Sequence, residues 1–477
     1  MERQIRLKNL VTIVLLAFIL CLGMAIMTDQ VFAQGSMATV NANGTIKEVN
    51  SHEDWLEALE LIDDLGQDTW AEISLHSDIT ERVPELDSYR IQMTINLNGY
   101  TWTINDDTSM QTYRSITING GGGTITIAEG VYPSGLFCTY ASDIGTSINV
   151  NDTNFVDCKC GRYPLFYIVN KNDYLSPGAS FKNCTFTNCS STAFGGVLYG
   201  YFMKGGVYTT NCTFDNCHSK YGGVYYLEDT LKEENYTSNV SIYGFVDNVT
   251  TYNNCKADTA GGVLYLDNSH ISFRTQGKLE ISNCSAPNGG VIYCDKYSKL
   301  SFGTEGSYAE INVSDCTATG NGGFCYSEGT VYINWSTIYD CSAQNGGVLY
   351  MNGNNNGRFN DNTIYNCTAT GVGGVLYCSD YDETTFKSYD NTYTNAENSN
   401  QDGSLIYCEN AILSSERDTI NSSNSRAIYN GGSFIGDSTG SILSSGSLWI
   451  VTAIAGIVVG FVGGMFFAKK KTTANGN

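Results

Sequence analysis

The sequence has little proline and little charge for its length. Of 477 residues, 5 are proline and 16% are charged, against roughly 25% charged residues in ordinary soluble domains. Disorder needs much charge and few aromatic residues, so an aromatic content of 12% with 32 tyrosines excludes it as the general state. Long helical bundles are also disfavoured, because glycine, asparagine, threonine and tyrosine replace the strong helix formers.

Positive charge is scarce as well. The formal net charge is −22, so the phosphate backbone of a nucleic acid would be repelled, and we expect no nucleic-acid partner. The sequence contains only four histidines, and they are scattered: His52, His76, His218 and His270. We expect no cofactor, no metal site and no catalytic residue. Long apolar runs occur only near the two ends of the chain.

The two terminal apolar runs are typical of a signal segment and a membrane anchor. A basic start, an apolar run and a small-residue cleavage site predict a signal peptide over residues 1–33; an uncleaved signal anchor is the alternative. Residues 448–468 carry no charge and are long enough to cross a bilayer. Three lysines follow at once and predict a short cytoplasmic tail, residues 469–477. We therefore expect a single-pass type I protein of the plasma membrane with an extracellular ectodomain.

From about residue 152 the sequence repeats itself. One half of the unit reads apolar-x-Asn/Asp-Cys, first at Cys158, and its later cysteines are Cys189, Cys217, Cys255, Cys284, Cys316, Cys341 and Cys367. The other half reads Gly-Gly-Val-Leu-Tyr in its best copies, and its tyrosines are Tyr199, Tyr226, Tyr265, Tyr293, Tyr326, Tyr350, Tyr377, Tyr407 and Tyr429. Each unit holds two or three short runs of period two between turn residues, without an intervening helical stretch.

This pattern predicts an all-β fold, a parallel β-helix over residues 71–432, in which each unit winds once and stacks on the previous one. Alternation in Gly-Gly-Val-Leu-Tyr-x places the leucine and x inside and the tyrosines outside, as a row of stacked rings. Before the β-helix, residues 34–70 contain an amphipathic helix starting after Ser51, which we expect to cover the open hydrophobic end. Residues 433–447 read as a Ser/Gly-rich linker.

The repeated cysteines have two interpretations. Equivalent residues in neighbouring coils lie about 4.8 Å apart, which permits a disulfide, but parallel Cβ vectors fit one poorly. Later units replace the cysteine by Ala396 and Ser422, which favours stacked buried thiols. Bridges such as Cys184 with Cys212, or Cys189 with Cys217, are the alternative in an oxidising compartment.

The paired motifs resemble a known repeat. Phe-x-Asn-Cys-Ser at Phe186 and Gly-Gly-Val-Leu-Tyr at Gly195 are similar to the repeat of the polymorphic outer membrane proteins, and residues 95–104 look like early coils of pectin-lyase-like surface proteins. The resemblance implies a right-handed β-helix, surface display and adhesion. The chain departs from the family because no segment is long enough for an autotransporter barrel, and it looks more like single-pass surface versions of the repeat.

Four groups of acidic residues are candidates for two kinds of site. Asn105-Asp106-Asp107 could offer paired carboxylates for acid–base catalysis, but a turn is the simpler interpretation. Glu228-Asp229, Glu233-Glu234 and the group Asp380, Asp382 and Glu383 could bind Ca²⁺ through their oxygens. Their spacing is irregular, which favours solvated loops.

Glycans and self-association are two further expectations. Candidate N-glycosylation residues are Asn43, Asn151, Asn235, Asn239, Asn248, Asn312, Asn334 and Asn421. In the apolar run near the C-terminus, Gly456, Gly460 and Gly464 form two overlapping Gly-x-x-x-Gly units, which predict a homodimer through close helix packing.

Taken together, the sequence predicts a surface adhesin or interaction protein without enzymatic activity. Its expected partners are neighbouring or host cells, matrix or glycans, bound along an extended lateral face with inserted loops at residues 231–248 and 352–359. The alternatives are a membrane-tethered polysaccharide lyase or glycoside hydrolase, and a purely structural surface-coat protein.

Overall fold

The computed structural model describes residues 35–436, except residues 87–89, 143, 173, 229–238, 245–249, 276, 304–309, 354–355, 380–384, 395–396, 399–403, 410, 422–425 and 431–432. The predicted signal peptide, membrane segment and cytoplasmic tail therefore lie outside the described residues, as do Ala396 and Ser422. Within the described part of the chain, no helix is both long and apolar enough to cross a membrane.

The chain forms a parallel β-solenoid with four sheets along its sides, which we number in the order in which each turn visits them. Sheet 1 has sixteen described strands: Thr45–Val49, Ala38–Ala42, Thr69–Leu75, Ile91–Asn96, Ile116–Asn119, Ser147–Asn151, Gly178–Lys182, Gly206–Thr210, Asn239–Gly244, His270–Thr275, Lys299–Phe302, Thr330–Asn334, Gly357–Asn360, Thr385–Tyr389, Ile412–Glu416 and Ser433–Gly436. The first two strands pair antiparallel, and Ala38–Ala42 pairs antiparallel with Thr69–Leu75. All later pairs in the sheet are parallel.

Sheet 2 follows sheet 1 along each turn. Its thirteen described strands are Ile79–Thr80, Thr101–Ile104, Thr124–Ile127, Asn154–Val156, Thr185–Thr187, Thr213–Asp215, Thr250–Asn253, Lys278–Ser282, Glu310–Ser314, Ser336–Tyr339, Thr363–Tyr365, Thr392–Thr394 and Thr419–Asn421. Its buried positions carry a stack of aromatic rings, Phe155, Phe186, Phe214 and Tyr252, in successive coils with parallel ring planes.

Sheets 3 and 4 complete the turn. Sheet 3 has seven short described strands: His218–Tyr221, Lys256–Ala260, Ser285–Ala286, Thr317–Ala318, Ser342–Ala343, Thr368–Ala369 and Glu397–Asn398. Sheet 4 has twelve in the described residues: Met110–Thr112, Phe137–Ala141, Phe166–Asn170, Leu198–Tyr201, Tyr225–Glu228, Leu264–Asp267, Ile292–Cys294, Cys325–Ser327, Leu349–Asn352, Leu376–Ser379, Ser404–Glu409 and Arg426–Asn430. The predicted solenoid is thus present.

The corner between sheets 2 and 3 explains the Asn/Asp-Cys motif. The residue before the cysteine has a φ of 53° to 57° in eight coils: Asp157, Asn188, Asn216, Asn254, Asn283, Asp315, Asp340 and Asn366. Asparagine and aspartate tolerate this left-handed conformation better than other residues that carry a Cβ. The cysteine after the corner points inward, and each one is buried.

The cysteines are stacked free thiols. All sixteen that the structure describes are buried, and none of them forms a disulfide. The thiols of Cys189 and Cys217 lie 3.7 and 3.6 Å from the backbone carbonyl oxygens of Phe155 and Phe186 in the preceding coil. Burial raises the pKa of Cys158 well above its usual value, so the thiol is held in its neutral form.

The corner between sheets 3 and 4 explains the Gly-Gly motif. Its first glycine has a positive φ, for example 67° at Gly261. Its second glycine faces the next coil so closely that a Cβ on Gly262 would lie 2.1 Å from the carbonyl oxygen of Gly290. Both positions therefore require glycine, the first for its conformation and the second for space.

The predicted N-terminal helix is present and spans His52–Asp63, which we label α1. Ser51 accepts a hydrogen bond from the backbone N–H of Asp54 at 3.2 Å, which makes it the N-cap. The helix buries Trp55, and the Trp55 ring lies 5.4 Å from that of Trp102 on sheet 2 in an edge-to-face contact. The prediction that α1 covers the open end of the solenoid stays a prediction.

Two predicted boundaries differ from the structure. The solenoid continues through Ser433–Gly436, which pairs with Ile412–Glu416 and lies inside the predicted linker. The two predicted loop insertions contain regular strands of sheet 1, Asn239–Gly244 and Gly357–Asn360. In each of these segments, a run of only four to six residues pairs in register with the neighbouring coil.

Candidate functional site

The outer face of sheet 4 carries a continuous stack of tyrosines. Cα pairing places eight of the predicted tyrosines in register, and we call them the tyrosine row: Tyr199, Tyr226, Tyr265, Tyr293, Tyr326, Tyr350, Tyr377 and Tyr407. Neighbouring ring centroids are 4.5 to 5.6 Å apart, with interplanar angles of 3° to 14°. Each such pair contributes about 0.5–1.5 kcal/mol beyond its buried area.

The row ends one coil earlier than predicted. The pairing register shifts between Ser404 and Ile406, which places Tyr407 opposite Ile428. Tyr429 then takes the register position of Cys408 and does not continue the row. The prediction for Tyr429 was wrong because the last unit lacks the Gly-Gly corner that fixes the register of the others.

The row also begins one coil earlier than predicted, at Tyr167. Tyr167 pairs with Tyr199, and their ring centroids are 5.0 Å apart. Tyr167 was not predicted because no Gly-Gly precedes the strand Phe166–Asn170. Tyr167 precedes Tyr199 by about one repeat length. This spacing is the signal that could have identified it.

A second aromatic set flanks the row at the corner between sheets 3 and 4. Its members are Tyr163, Phe194 and Tyr221, which come from three successive coils. Phe194 lies 4.8 Å from the ring of Tyr226, and Tyr221 lies 5.3 Å from that of Tyr265. All three are half-buried. We call this set the corner aromatics. It was not predicted, although an aromatic residue stands directly before Gly-Gly in two of the three units.

The geometry of the tyrosine row limits what it can bind. Both faces of each interior ring are covered by the neighbouring rings, so a sugar ring cannot lie flat on them. Tyr199 and Tyr226 are buried, and their hydroxyls already donate to carboxylates one coil further along. The interior rings of the row therefore do not serve as flat aromatic platforms.

Carboxylates accompany the row, two residues after the tyrosine on four successive coils. We call Glu228, Asp267, Asp295 and Glu328 the carboxylate row. The Tyr199 hydroxyl donates to Glu228 at 2.5 Å, and the Tyr226 hydroxyl donates to Asp267 at 2.7 Å. These hydrogen bonds join one coil to the next, since each carboxylate lies one coil beyond its tyrosine.

The carboxylate row differs from the loop that was expected at Glu228. Glu228 ends the strand Tyr225–Glu228 and is not part of a solvated loop, whereas Asp229 and Glu233-Glu234 lie outside the described residues. The signal that could have found the row is an acidic residue at the second position after the repeated tyrosine. Within the described residues, no group of three or more His, Cys, Asp or Glu side chains could hold a metal ion.

Burial raises the pKa of Glu228 and Asp267 above their ordinary values. At Glu228 the hydrogen bond from Tyr199 opposes the rise, and the charge of Asp267 adds to it. At Asp267 the hydrogen bond from Tyr226 opposes it, and Asp295 adds to it. Adjacent carboxylates on one sheet repel each other, so repulsion adds to burial in raising both pKa values.

Replacing Glu228 by glutamine should stabilise the protein at neutral pH. A folded-state pKa above the unfolded value means that stability from this group is greatest below the unfolded pKa and is lost as pH rises through the folded pKa. Glu228→Gln removes that loss and keeps an acceptor for Tyr199, so we expect a gain of less than about 1 kcal/mol at pH 7, because the side chain is half-exposed. The gain should vanish below pH 4.5, the unperturbed pKa. Urea unfolding at both pH values measures it, and an equal gain at both would contradict the repulsion.

The predicted glycosylation residues fall into different environments. Asn43 lies exposed in the turn between the first two strands, and Asn421 is exposed. Asn151 and Asn312 are half-buried, and their amides donate to Asn119 and Glu310. Asn235 and Asn248 lie outside the described residues, and the side chain of Asn239 does as well.

Asn334 was wrongly predicted as a glycosylation residue. Its side chain is fully buried, and its amide donates to the backbone carbonyl oxygens of Phe302 at 3.3 Å and Gly303 at 3.0 Å. The Asn-x-Ser pattern cannot report this burial, because it describes three residues and not the coil packed against them. A glycan cannot occupy this position in the folded chain.

Comparisons with known proteins add little. No protein-family model matches the sequence, and no curated protein matches it. Among solved structures, one described as "a new PL6 alginate lyase complex with trisaccharide" matches with 11% identity and a TM-score of 0.29, over 85% of this chain and 88% of the other. A TM-score this low means that the two backbones superimpose poorly, and the match has no bearing on substrate or activity.

Proposed function

We propose that the chain is a surface adhesin, a non-enzymatic binding protein that contacts cells, matrix or glycans with the side formed by sheets 3 and 4. One observation carries this proposal: that side presents rows of aromatic and charged residues in register over several coils. A repeating surface suits an extended partner, because equivalent groups recur about every 4.8 Å along the rod.

The proposed location rests on the two ends of the sequence. The N-terminal segment has the features of a signal peptide, and residues 448–468 have those of a membrane span. The resemblance of the repeats to polymorphic outer membrane proteins supports display on a surface. A chain anchored by its C-terminus would hold the solenoid outside the plasma membrane and leave its sides accessible.

Attachment assays with the full chain test this function. Non-adherent cells that display it should attach to cultured cells, matrix proteins or immobilised glycans, and cells that carry an empty vector should not. Replacing Phe194 and Tyr221 by alanine should reduce attachment, because both rings lie in the corner aromatics. The matched control replaces Tyr132 and Tyr174, which are 53% and 95% exposed elsewhere, by alanine. Absence of attachment to every surface would refute the proposal.

Cleavage of a polysaccharide is the second candidate, and one observation favours it. Glu228 and Asp267 are half-buried, in register on adjacent coils, and both have a raised pKa. Adjacent strands lie about 4.8 Å apart, and retaining glycoside hydrolases use two carboxyl groups about 5–5.5 Å apart, one of them protonated.

Glycan-release assays decide between the two candidates. The full chain is incubated with a panel of neutral and acidic polysaccharides, with and without Ca²⁺, and new chain ends are measured. Turnover that is lost in Glu228→Gln would establish the enzyme, because this variant keeps the hydrogen-bond acceptor for Tyr199 but cannot supply the carboxylate. No release from any substrate would remove this candidate.

A further inference from the structure

The later part of sheet 1 carries positive charge and no negative charge. Six successive strands of this sheet contain four lysines and arginines but no aspartate or glutamate. They are Asn239–Gly244, His270–Thr275, Lys299–Phe302, Thr330–Asn334, Gly357–Asn360 and Thr385–Tyr389. The next strand, Ile412–Glu416, ends this stretch with an acidic residue. In a chain of net charge −22, these six strands form a locally basic region.

Three of these cations stand on the outer face of the sheet. We call Lys299, Arg358 and Lys387 the cation row. Lys299 and Lys387 are exposed and Arg358 is half-buried, whereas the residues directly before and after each of them are buried. Successive side chains of a strand point to opposite faces, so the cations point outward. The side chain of the fourth cation, Arg274, lies outside the described residues.

Strand pairing brings the cation row together along the rod. Arg358 is directly opposite Lys387 in the next coil and directly opposite Tyr332 in the preceding one. The Tyr332 ring connects two of the cations, because its centroid lies 5.5 Å from the Lys299 ammonium and 5.1 Å from the Arg358 guanidinium. The row extends over four successive coils, a length of about 14 Å at about 4.8 Å per strand spacing.

Described carboxylates do not neutralise the cation row. Other cations form ion pairs, such as Lys278 with Glu280 at 2.6 Å, but none of the ion pairs among the described residues includes the row. Arg358 Nε donates to the neutral amide oxygen of Asn334 at 3.2 Å. Like charges directly opposite each other destabilise a sheet. An anion bound to both Arg358 and Lys387 would remove this repulsion.

The shape of the cation row selects the kind of anion. Arg358 and Lys387 are about one strand spacing apart, whereas Lys299 lies about 14 Å along the rod from Lys387. A small anion such as phosphate can bind the adjacent pair but cannot reach Lys299 at the same time. A linear polymer with closely spaced oxyanions can contact all three when it lies along the rod. The guanidinium can bind two oxygens of one oxyanion, and each ammonium acts as a point charge.

We propose that the cation row binds a sulfated linear polysaccharide, which lies along the solenoid. Sulfate esters stay ionised and can occur more than once per sugar, so such a chain supplies charges as closely spaced as those of the row. A broad polyanion, such as duplex nucleic acid or an anionic membrane, would also approach acidic residues on other sides of the protein, including the carboxylate row. The choice of a polysaccharide rests on the proposed location outside the cell. The site itself lies on a different sheet from the surface proposed for attachment.

Binding of fluorescent heparin to the full chain, held in an uncharged detergent, tests this site. The wild-type chain should bind in about 0.1 M salt, and its affinity should fall steeply as salt rises. Replacing Lys299 and Lys387 together by glutamate should weaken binding by about a hundredfold or more, and Lys387→Gln alone by about tenfold. Lys387→Gln should also lower the slope of log affinity against log salt by about one, since one charged contact is lost.

Two control variants separate position from overall charge. Lys182→Glu makes the same charge change at an exposed lysine on an earlier strand of sheet 1. It lies four coils from Lys299, beyond the Debye length of about 10 Å in 0.1 M salt, so it should change the affinity by less than about twofold. Lys387→Arg keeps the charge and should bind like the wild type. Circular dichroism spectra of all variants should match the wild type, because every substituted lysine is exposed.

Several results would overturn the inference. A wild-type chain that does not bind heparin would refute the site, and the proposed adhesin would still stand if cells that display the chain attach. Equal affinity of the wild type and the double glutamate variant would show that heparin binds elsewhere, for example at Lys159 and Lys256 on sheet 3. Equal affinity for hyaluronan, which has carboxylates but no sulfate, or for a single-stranded oligonucleotide, would refute the choice of a sulfated polysaccharide.

The chain's own acidic residues are the competing partner of the cation row. Asp380, Asp382 and Glu383 come shortly before Lys387 in the sequence and lie outside the described residues. If these carboxylates occupied the row, heparin would bind only after their replacement by asparagine and glutamine, and that result would also overturn the inference. Binding by the wild-type chain, lost in the double glutamate variant, is the result we expect.

Discussion

Gly262→Ala is expected to lower the free energy of unfolding by about 3 kcal/mol, the upper part of the range for overpacking a tight site. A Cβ at this position would lie 2.1 Å from the carbonyl oxygen of Gly290 and 2.9 Å from the backbone of Ser285, both in the next coil. These are backbone atoms, so no side-chain rotation can relieve the contact. The two coils must therefore move apart locally. This weakens the strand pairing within sheet 3 before the corner and within sheet 4 after it.

Urea unfolding followed by far-ultraviolet circular dichroism measures this effect. Gly145→Ala is the matched control, because a Cβ there meets no atom within 4 Å, and we expect it to change the stability by less than about 0.5 kcal/mol. If Gly262→Ala were as stable as the control, the coils could not be packed as closely at the Gly-Gly corner as the structure has them.

The repeat itself could be predicted from the sequence because the residues of its two motifs meet local requirements of the backbone. The residue before the cysteine must tolerate a left-handed backbone, as Asn283 does with a φ of 56°. The second glycine must lack a Cβ, as at Gly262. These requirements recur in many successive coils, so they leave a periodic signal in a single sequence. The row from Tyr199 to Tyr407 follows once that period is known.

Other features depend on what a neighbouring coil contributes, and the sequence pattern does not contain that information. Tyr429 leaves the row because the register shifts by one residue in the last coil. Asn334 is buried against the preceding coil, where its amide donates hydrogen bonds to the carbonyl oxygens of Phe302 and Gly303. At Asn334 the local motif is intact, and the packing partner decides the outcome. At Tyr429 the unit lacks the Gly-Gly corner, and pairing with the preceding coil sets the register.

The charged rows of the candidate surface were missed for a different reason. Glu228 and Asp267 look like members of acidic loops when the sequence is read residue by residue. Only alignment of the units on the repeated tyrosine shows that they occupy one position. The same holds for Lys159 and Lys256, which are almost one hundred residues apart in sequence and on one line in the structure. In a solenoid, residues that are far apart in sequence become neighbours on the surface. A row of charges is therefore visible only when residues at the same position of successive coils are compared.

The aromatic column of sheet 2 gives the second large prediction: Phe186→Ala should cost about 3–5 kcal/mol, as is typical for a buried phenylalanine. Phe186 is fully buried. Its ring is parallel to those of Phe155 at 5.0 Å and Phe214 at 4.7 Å. Truncation leaves a cavity in the middle of the column and removes both stacking contacts, while the backbone pairing to each side prevents the coils from closing the gap.

Each coil of a solenoid contacts only its neighbours. The cavity should therefore weaken the coupling between the coil of Phe186 and the two coils next to it. We therefore expect the urea transition of Phe186→Ala to shift to lower concentration and to broaden, as the halves on either side of the cavity lose their cooperativity. Tyr174→Ala is the control, since this side chain is 95% exposed and touches no column. An unchanged, equally sharp transition in Phe186→Ala would mean that the column does not couple the coils, and that the backbone ladders alone hold the rod together.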